Sequence, residues 1–248
     1  MTEQGEAILY NLRSFYRSAA LVGGYETGAF DGLEYAWKRG GWPAHIIGTP
    51  GKEGPGRIAA AVTEGKLPPF LIAADEAGLP VRELEQAGIR PVRQWTGMVL
   101  EQKDFKPSFP AEDIRLETVT PSMPEDWLKL VNTELLTSAS MEKDWVINAS
   151  KSDNYSLLVA HRDGHHAGAG MLFNSEGISG LYMVATGRDH RKKGVASVLC
   201  TRLVEEAWKL GSRTVVLHST DMARNLYSGL GFRKVNRILV FWSLGVGA

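Results

Sequence analysis

The sequence has a single cysteine, Cys200, so no internal disulfide can staple the fold and no all-thiolate site can hold zinc. A lone thiol fits a reducing compartment, and the cytoplasm is the expected location. Net charge is also missing: 28 Lys and Arg stand against 28 Asp and Glu in 248 residues. Without an overall field there is no general draw toward nucleic acid or an anionic membrane, so any polyanion site has to be local. No apolar run approaches the roughly 20 residues that span a bilayer. Residues 1–15 carry Glu3 and Glu6 where a leader peptide would carry positive charge, so a soluble, unprocessed chain is expected.

What is present is an apolar fraction of 44%, enough for a core without staples. The texture changes over residues 101–114, where Pro107, Pro110 and clustered charges break every hydrophobic period. This segment reads as a linker, dividing an α/β domain at 1–110 from a second domain at 111–248. In the first, Ile8, Leu12, Phe15, Ala19 and Val22 recur at helical spacing until Gly23-Gly24 stops them. Strands are expected at 44–48, 68–74 and 93–101, with helices at 56–65 and 79–88. In the second, the pattern predicts the order β-α-α-β-β-β-α-β-α-β-β, with a hairpin at Asp163-Gly164 and a terminal pair of strands at 232–235 and 237–242.

A weak internal repeat relates Gly88-Ile89-Arg90-Pro91-Val92 to Gly231-Phe232-Arg233-Lys234-Val235, 143 positions apart. Each follows a helical pattern and precedes an apolar strand. A decayed duplication and a generic helix-Gly-strand corner both account for it. Leu84 then stands where Tyr227 does.

The chemistry concentrates in one run, Met183 to Leu199, where a strand passes through a basic turn into the clearest helix of the chain. The heart is Arg191-Lys192-Lys193-Gly194-Val195-Ala196. Free N–H groups of a first helical turn, backed by the positive end of the helix dipole, cradle an anion. Gly194 lets a phosphate approach the backbone, and Arg191, Lys192 and Lys193 offer charge-assisted bonds.

In context this run resembles the GCN5-related N-acetyltransferase (GNAT) superfamily. The resemblance rests on Val184-Ala185-Thr186, then the Arg191-x-x-Gly194-x-Ala196 turn opening a helix, then Leu226-Tyr227-Ser228-Gly229-Leu230-Gly231-Phe232, and covers residues 114–242. It departs from the family at two places, with Thr220 where an asparagine is common and Arg188 where a proline is. The resemblance implies a GNAT fold, a mixed and mostly antiparallel sheet flanked by helices, with a degenerate GNAT-like α/β domain before it. That first domain contains no Arg- or Gln-led turn of this kind, so it is expected to be inert toward the cofactor.

The resemblance further implies acetyl-CoA as cosubstrate, with its pyrophosphate on the amides of Lys192, Lys193, Gly194, Val195, Ala196 and Ser197. The pantetheine arm would pair like an extra strand with Val184, Ala185 and Thr186, and Thr220 would bond an amide of the arm. Tyr227 is the implied acid that protonates the departing thiolate. The acceptor would be a small-molecule or peptide amine, attacked in a ternary complex; a CoA-binding regulator without catalysis is the alternative. No metal, nucleic acid or membrane is expected as partner, and the chain is expected to be a monomer or homodimer.

The base is not determined: Glu142, Asp144, Glu176, Tyr182 and His218 are candidates. His161, His165 and His166 flank the hairpin turn and read as solvated. Cys200 reads as a packed thiol, and Trp37, Trp42 and Trp145 as core residues.

Overall fold

Thr2 opens the first helix. In this computed structural model its Oγ1 accepts the Gly5 N–H at 3.2 Å, and left-handed Gly24 ends α1 (Glu3–Gly23) by donating to the Ala20 and Leu21 carbonyls. The structure describes residues 2–76, 78–108, 113–136 and 139–243. Part of the expected linker, residues 109–112, therefore lies outside the described residues.

An antiparallel hairpin follows, β1 (Glu26–Phe30) and β2 (Leu33–Trp37), turning through Asp31 and Gly32 at φ 51° and 78°. No strand is expected there from sequence, although Asp31-Gly32 is the same turn signal as Asp163-Gly164. Next come β3 (Ala44–Ile47), α2 (Gly54–Thr63), β4 (Phe70–Ala74), α3 (Val81–Gln86) and β5 (Ile89–Leu100). The rest of the chain forms β6 (Ile114–Thr118), α4 (Glu125–Glu134), α5 (Lys143–Ala149), β7 (Tyr155–Arg162), β8 (His165–Ser175), β9 (Ile178–Thr186), α6 (Val195–Lys209), β10 (Thr214–Ser219), α7 (Arg224–Gly229) and β11 (Arg233–Ser243).

The expected terminal pair is thus one strand. Asn236 and Arg237 interrupt its apolar pattern but not its pairing, because the Arg237 carbonyl accepts the Asp75 N–H at 2.9 Å and the Arg237 side chain pairs with the Asp75 carboxylate.

Two compact units result, and neither is a single stretch of chain. The first holds Met1–Gly97, His218–Asp221 and Lys234–Ala248; the second holds Met98–Leu217 and Met222–Arg233. In the first the strand order is β1-β2-β3-β4-β11-β5, with β11 antiparallel to β4 from Ile238↔Ala74 to Trp242↔Phe70. In the second it is β10-β9-β8-β7-β6, with the end of β5 beside β10. Burial follows these assignments. Phe241 packs with Ile46, Ile58, Leu71 and Leu84 in the first core, whereas Met98 and Leu100 pack with Leu199, Leu203, Val215 and Leu217 in the second.

The two halves of the chain run through the same order of elements. β1-β2-β3-α2-β4-α3-β5 matches β7-β8-β9-α6-β10-α7-β11, and in each the first three strands pair antiparallel before a parallel pairing to the fourth. Gly88 and Gly231, at φ 78° and 100°, occupy the same corner. The architecture is mixed α/β, with a mostly antiparallel sheet flanked by helices.

Candidate functional site

β9 is irregular on both edges. Against β8, Tyr182 faces Met171 and Ala185 faces Ala169, so Met183 and Val184 together oppose Gly170. This is a β-bulge, and Met183 sits in it at φ 51°, a left-handed conformation that long side chains rarely adopt. Against β10 the parallel ladder covers only Ile178–Gly180 opposite Thr214–Val216. From Leu181 to Thr186 the strand keeps an edge that the ladder does not use. Nothing in the local sequence marks the bulge. The one available signal lies on the facing strand, where Gly168 and Gly170 let α6 close in: a Cβ on Gly168 would come within 2.7 Å of Val195 Cγ1, and one on Gly170 within 3.0 Å of Leu203 Cδ1.

Beyond the open edge, a 3-10 turn at Arg188–His190 and the basic turn lead to the start of α6. Gly194 is the N-cap, at φ 84° and with no side chain to satisfy the first turn, and Lys192 is also left-handed at φ 60°. The first helical bond runs from the Val198 N–H to the Gly194 carbonyl at 3.1 Å, so the amides of Val195, Ala196 and Ser197 precede the ladder. Nothing lies within 4 Å of where a Gly194 Cβ would be, which leaves room above these amides. Alternating left-handed residues in such a turn aim successive N–H groups into a shared concavity.

The basic side chains divide. Arg191 places Nη2 at 2.6 Å from Glu134 Oε2 on α4 and donates from Nε to the Thr186 carbonyl at 3.3 Å, so its guanidinium is already engaged. Lys192 and Lys193 are exposed and, among the described residues, unpaired. The Lys193 carbonyl is held by Arg162 Nη1 at 3.3 Å, which fixes the turn from below.

Tyr227 lies on α7, buried, with its ring edge-on to Phe232 at 5.9 Å. Its carbonyl accepts the Phe232 N–H at 3.0 Å, and the corner needs Gly231, because a Cβ there would fall on the Asp104 carbonyl. Burial pushes the Tyr227 phenol well above its ordinary value, and neighbouring Cys200 adds to the shift. Such a phenol keeps its proton at neutral pH. The Cys200 thiol is itself pushed up to about 12 by burial. It is packed core, as expected, and no nucleophile.

The second unit thus contains Val184–Thr186, Arg191–Ser197 and Tyr227. Thr220 falls in the first unit, exposed, within the His218–Asp221 stretch. Among the base candidates, Glu142 and Asp144 are exposed at the start of α5, and Glu176 sits in the β8–β9 turn with φ 50°. Tyr182 is buried. His218 belongs to the first unit and stacks on Trp95 at 4.5 Å; burial lowers its imidazole to about 4, making it a weak acceptor for an ammonium proton.

The hairpin histidines are not simply solvated. His161 and His166 face each other across β7 and β8, ring centroids 4.9 Å apart, and their Nε2 atoms lie 3.1 Å from the carboxylates of Glu117 and Asp126. Cross-strand pairing brings together what the turn separates in sequence. Among the described residues no group of three or more His, Cys, Asp or Glu could hold a metal, and no helix is long and apolar enough to cross a membrane.

Comparison with known proteins supplies the remaining finding. The family model of the acetyltransferase (GNAT) domain matches residues 116–241. No curated protein matches the sequence. A GCN5-related N-acetyltransferase from Kribbella flavida shares the fold with TM-score 0.68 at 15% identity, over 94% of this chain and 96% of its own. A GCN5-related N-acetyltransferase from Sphaerobacter thermophilus gives 0.56 at 21%, over 72% and 62%. A tandem GNAT protein from the clavulanic acid biosynthesis pathway gives 0.56 at 13%, over 87% and 78%.

Proposed function

Because the chain belongs to the GNAT family of acetyltransferases, we propose that it moves an acetyl group from acetyl-CoA to a primary amine by direct attack in a ternary complex. The observation that supports this best is the succession of two features: the unladdered stretch of β9 is followed, after a 3-10 turn at Arg188–His190 and the basic turn, by the uncapped start of α6. Amides of a pantetheine arm would pair with Val184, Ala185 and Thr186 as an added strand does. The pyrophosphate would rest on the amides of Lys192 to Ser197, with Lys192 and Lys193 as counter-charges.

The chemistry asks three things of the chain. An alkyl ammonium of pKa about 10.4 must lose a proton, which costs about 4.6 kcal/mol at pH 7. β9 contains no carboxylate, so the proton goes to another side chain or to a chain of waters. Attack on the thioester builds an oxyanion, which a backbone N–H at the Met183-Val184 bulge would receive. The thiolate then leaves and takes a proton from Tyr227, whose raised pKa keeps the proton available.

The first half, residues 1–110, is on this reading a degenerate copy of the second, residues 111–248, inert toward CoA, and the chain works in the cytoplasm as a monomer or homodimer. A panel of small-molecule and peptide amines, read by thiol release from acetyl-CoA, tests the activity, and calorimetry tests binding. One equivalent of acetyl-CoA bound per chain, with thiol released only when amine is present, is the expected result. A thermal shift produced by an oligonucleotide and not by acetyl-CoA would overturn the proposal, and tight binding without transfer to any amine would favour a CoA-binding regulator.

A further inference from the structure

A strand at the end of a sheet keeps half of its backbone groups without a ladder partner, and such an edge is a template for another strand. β6 is such a strand: among the described residues it pairs with β7 and with nothing on its other side. The phase of the ladder shows which groups are left over. The register runs from Ile114↔Arg162 to Thr118↔Leu158, and one step further the Val119 N–H meets the Leu157 carbonyl at 2.9 Å. Bonded and non-bonded pairs alternate in an antiparallel ladder. Arg115 and Glu117 therefore give their N–H and C=O groups to β7, while Ile114, Leu116 and Thr118 turn theirs to the open side.

The side chains alternate as well. Ile114 is buried in the second core and Leu116 packs against it, which puts Arg115 and Glu117 on the opposite face. The Arg115 side chain is 79% exposed, and its Nη2 lies 3.7 Å from Glu117 Oε2, too far for a hydrogen bond. The two charges are opposite in sign and stand one residue to either side of Leu116.

We propose that the open edge of β6 pairs antiparallel with the same edge of a second copy of this chain, about a two-fold axis through Leu116. Leu116 then exchanges both bonds with Leu116 of the second copy, and Ile114 with its Thr118, which are the groups that β7 does not use. Arg115 falls opposite Glu117 of the second copy, and Glu117 opposite its Arg115, in the non-bonded positions where facing side chains come closest. The charges also fix the register. Moving the axis by one residue sets Arg115 against Arg115, or Glu117 against Glu117, and like charges directly opposite each other repel. The contact is isologous, so both β6 edges are used up in it. β1, the edge strand of the first unit, lacks this symmetry: Glu26 is its single charged residue, and pairing about the strand centre would set it against Phe30. The proposal is independent of acetyl transfer.

Sedimentation of the full chain over a concentration series tests it. A monomer–dimer equilibrium is expected, with a micromolar dissociation constant suited to so small a patch. Arg115→Glu and Glu117→Arg each make both charge pairs repulsive, and each should weaken the dimer about 10- to 30-fold. Mixed together, the two variants bring opposite charges back into register and should form a heterodimer within about threefold of wild-type affinity. Thr118→Pro deletes an N–H that faces the open side and makes no bond to β7, so it should abolish the dimer with little change in melting temperature. Amide exchange should slow with rising concentration at Leu116 and Thr118 and stay constant at Arg115 and Glu117, whose N–H groups β7 already holds.

A chain that stays monomeric at about 0.5 mM would overturn the proposal. So would a dimer indifferent to charge reversal or to Thr118→Pro, and so would single variants that weaken the dimer and do not recover on mixing. If a variant does not fold, exchange in the wild-type chain decides: slowing confined to Leu116 and Thr118 upholds the proposal, and exchange independent of concentration overturns it.

Discussion

Two helices of this chain start after a strand that pairs in parallel with the next, and only one of the two starts suits an anion. Before α2 the chain reads Gly51-Lys52-Glu53-Gly54-Pro55-Gly56, and before α6 it reads Arg191-Lys192-Lys193-Gly194-Val195-Ala196. The lysine and the central glycine coincide, but the details reverse the electrostatics. Glu53 is the N-cap of α2 and brings a negative side chain to the positive helix end, while Pro55 removes an amide from the first turn. The strands differ as well. β3 is laddered to β4 over three of its four residues, and Gly48 extends the contact to the Ile72 carbonyl at 2.9 Å. β9 is laddered to β10 over three of nine. The same succession of elements therefore makes a closed corner in one half and an open, amide-lined one in the other.

The most drastic way to break the comparison is to separate its halves. A fragment of residues 111–248 lacks β5, whose Met98 and Leu100 lie in the second core, and gives β11 no β4 to pair with. Phe241, Ile238 and Val240 would lose their burial, each worth about 1.5–3 kcal/mol. The fragment should show neither a cooperative unfolding transition nor acetyl-CoA binding. Circular dichroism and calorimetry check this, and a folded fragment of full affinity would mean that the exchanged strands carry little of the stability.

Next in size is the helix–Gly–strand corner that the halves share. Tyr227→Phe should lower turnover about 10²- to 10⁴-fold, the range for a lost general acid, with CoA affinity nearly unchanged. Because burial holds its proton, kcat should show no loss attributable to Tyr227 between pH 7 and about 10. Leu84, the counterpart 143 positions earlier, is fully buried in the first core. Leu84→Ala should cost about 2–5 kcal/mol of stability while turnover per folded molecule stays the same. Steady-state kinetics beside thermal unfolding separates the two roles; a turnover loss in Leu84→Ala at full folding would give the first half a part in catalysis.

A smaller effect should come from charge alone at the two helix starts. Gly194 needs a left-handed conformation, which Asn and Asp tolerate better than other side chains, so Gly194→Asn and Gly194→Asp share their strain and differ in charge. Asp should weaken acetyl-CoA binding about 30-fold more than Asn, the equivalent of about 2 kcal/mol at a helix end. Gly56→Asp, at a position with open space around its Cβ, should leave the affinity unchanged. Equal affinities for Gly194→Asp and Gly194→Asn would remove the α6 start from the phosphate site.

The legibility of the sequence follows the same contrast. The α6 turn, Tyr227 and most elements could be read because they rest on short-range patterns: a glycine before an apolar helical stripe, an Asp-Gly turn, a Gly-Phe corner. The bulge could not, since Met183 has no preference for positive φ and is held there by tertiary contacts. The exchange of β5 and β11 was equally hidden, because an apolar strand pattern shows that a strand is buried and not against which partner. The engagement of Arg191 by Glu134 links residues 57 apart, a relation no local pattern contains. The degenerate corner at Gly51 escaped for a simpler reason: with glycine in place of arginine at its first position, the motif no longer resembled itself.

The smallest expected effect distinguishes the units by their histidines. In the first unit His45 lies against Tyr16 at 4.6 Å and Phe70 at 5.6 Å, and burial, the nearby His218 and Arg93 lower its imidazole to about 3. Burial alone lowers His218, stacked on Trp95, to about 4. Both rings are therefore neutral in the folded unit and would charge near pH 6.5 once unfolded. Below that pH the unfolded state binds more protons, so the stability these rings contribute is complete above about pH 6.5 and drains away as pH falls toward about 4 for His218 and about 3 for His45. In the second unit His161 is half-buried and His166 exposed, beside Glu117 and Asp126. Acid should then loosen the first unit before the second. Amide exchange followed from pH 7 to 4 should quicken earlier in β3 and β4 than in β7 and β8, and the double substitution His45→Gln with His218→Gln should flatten the response in the first unit. Uniform quickening across both units would show that the buried imidazoles do not set the acid limit.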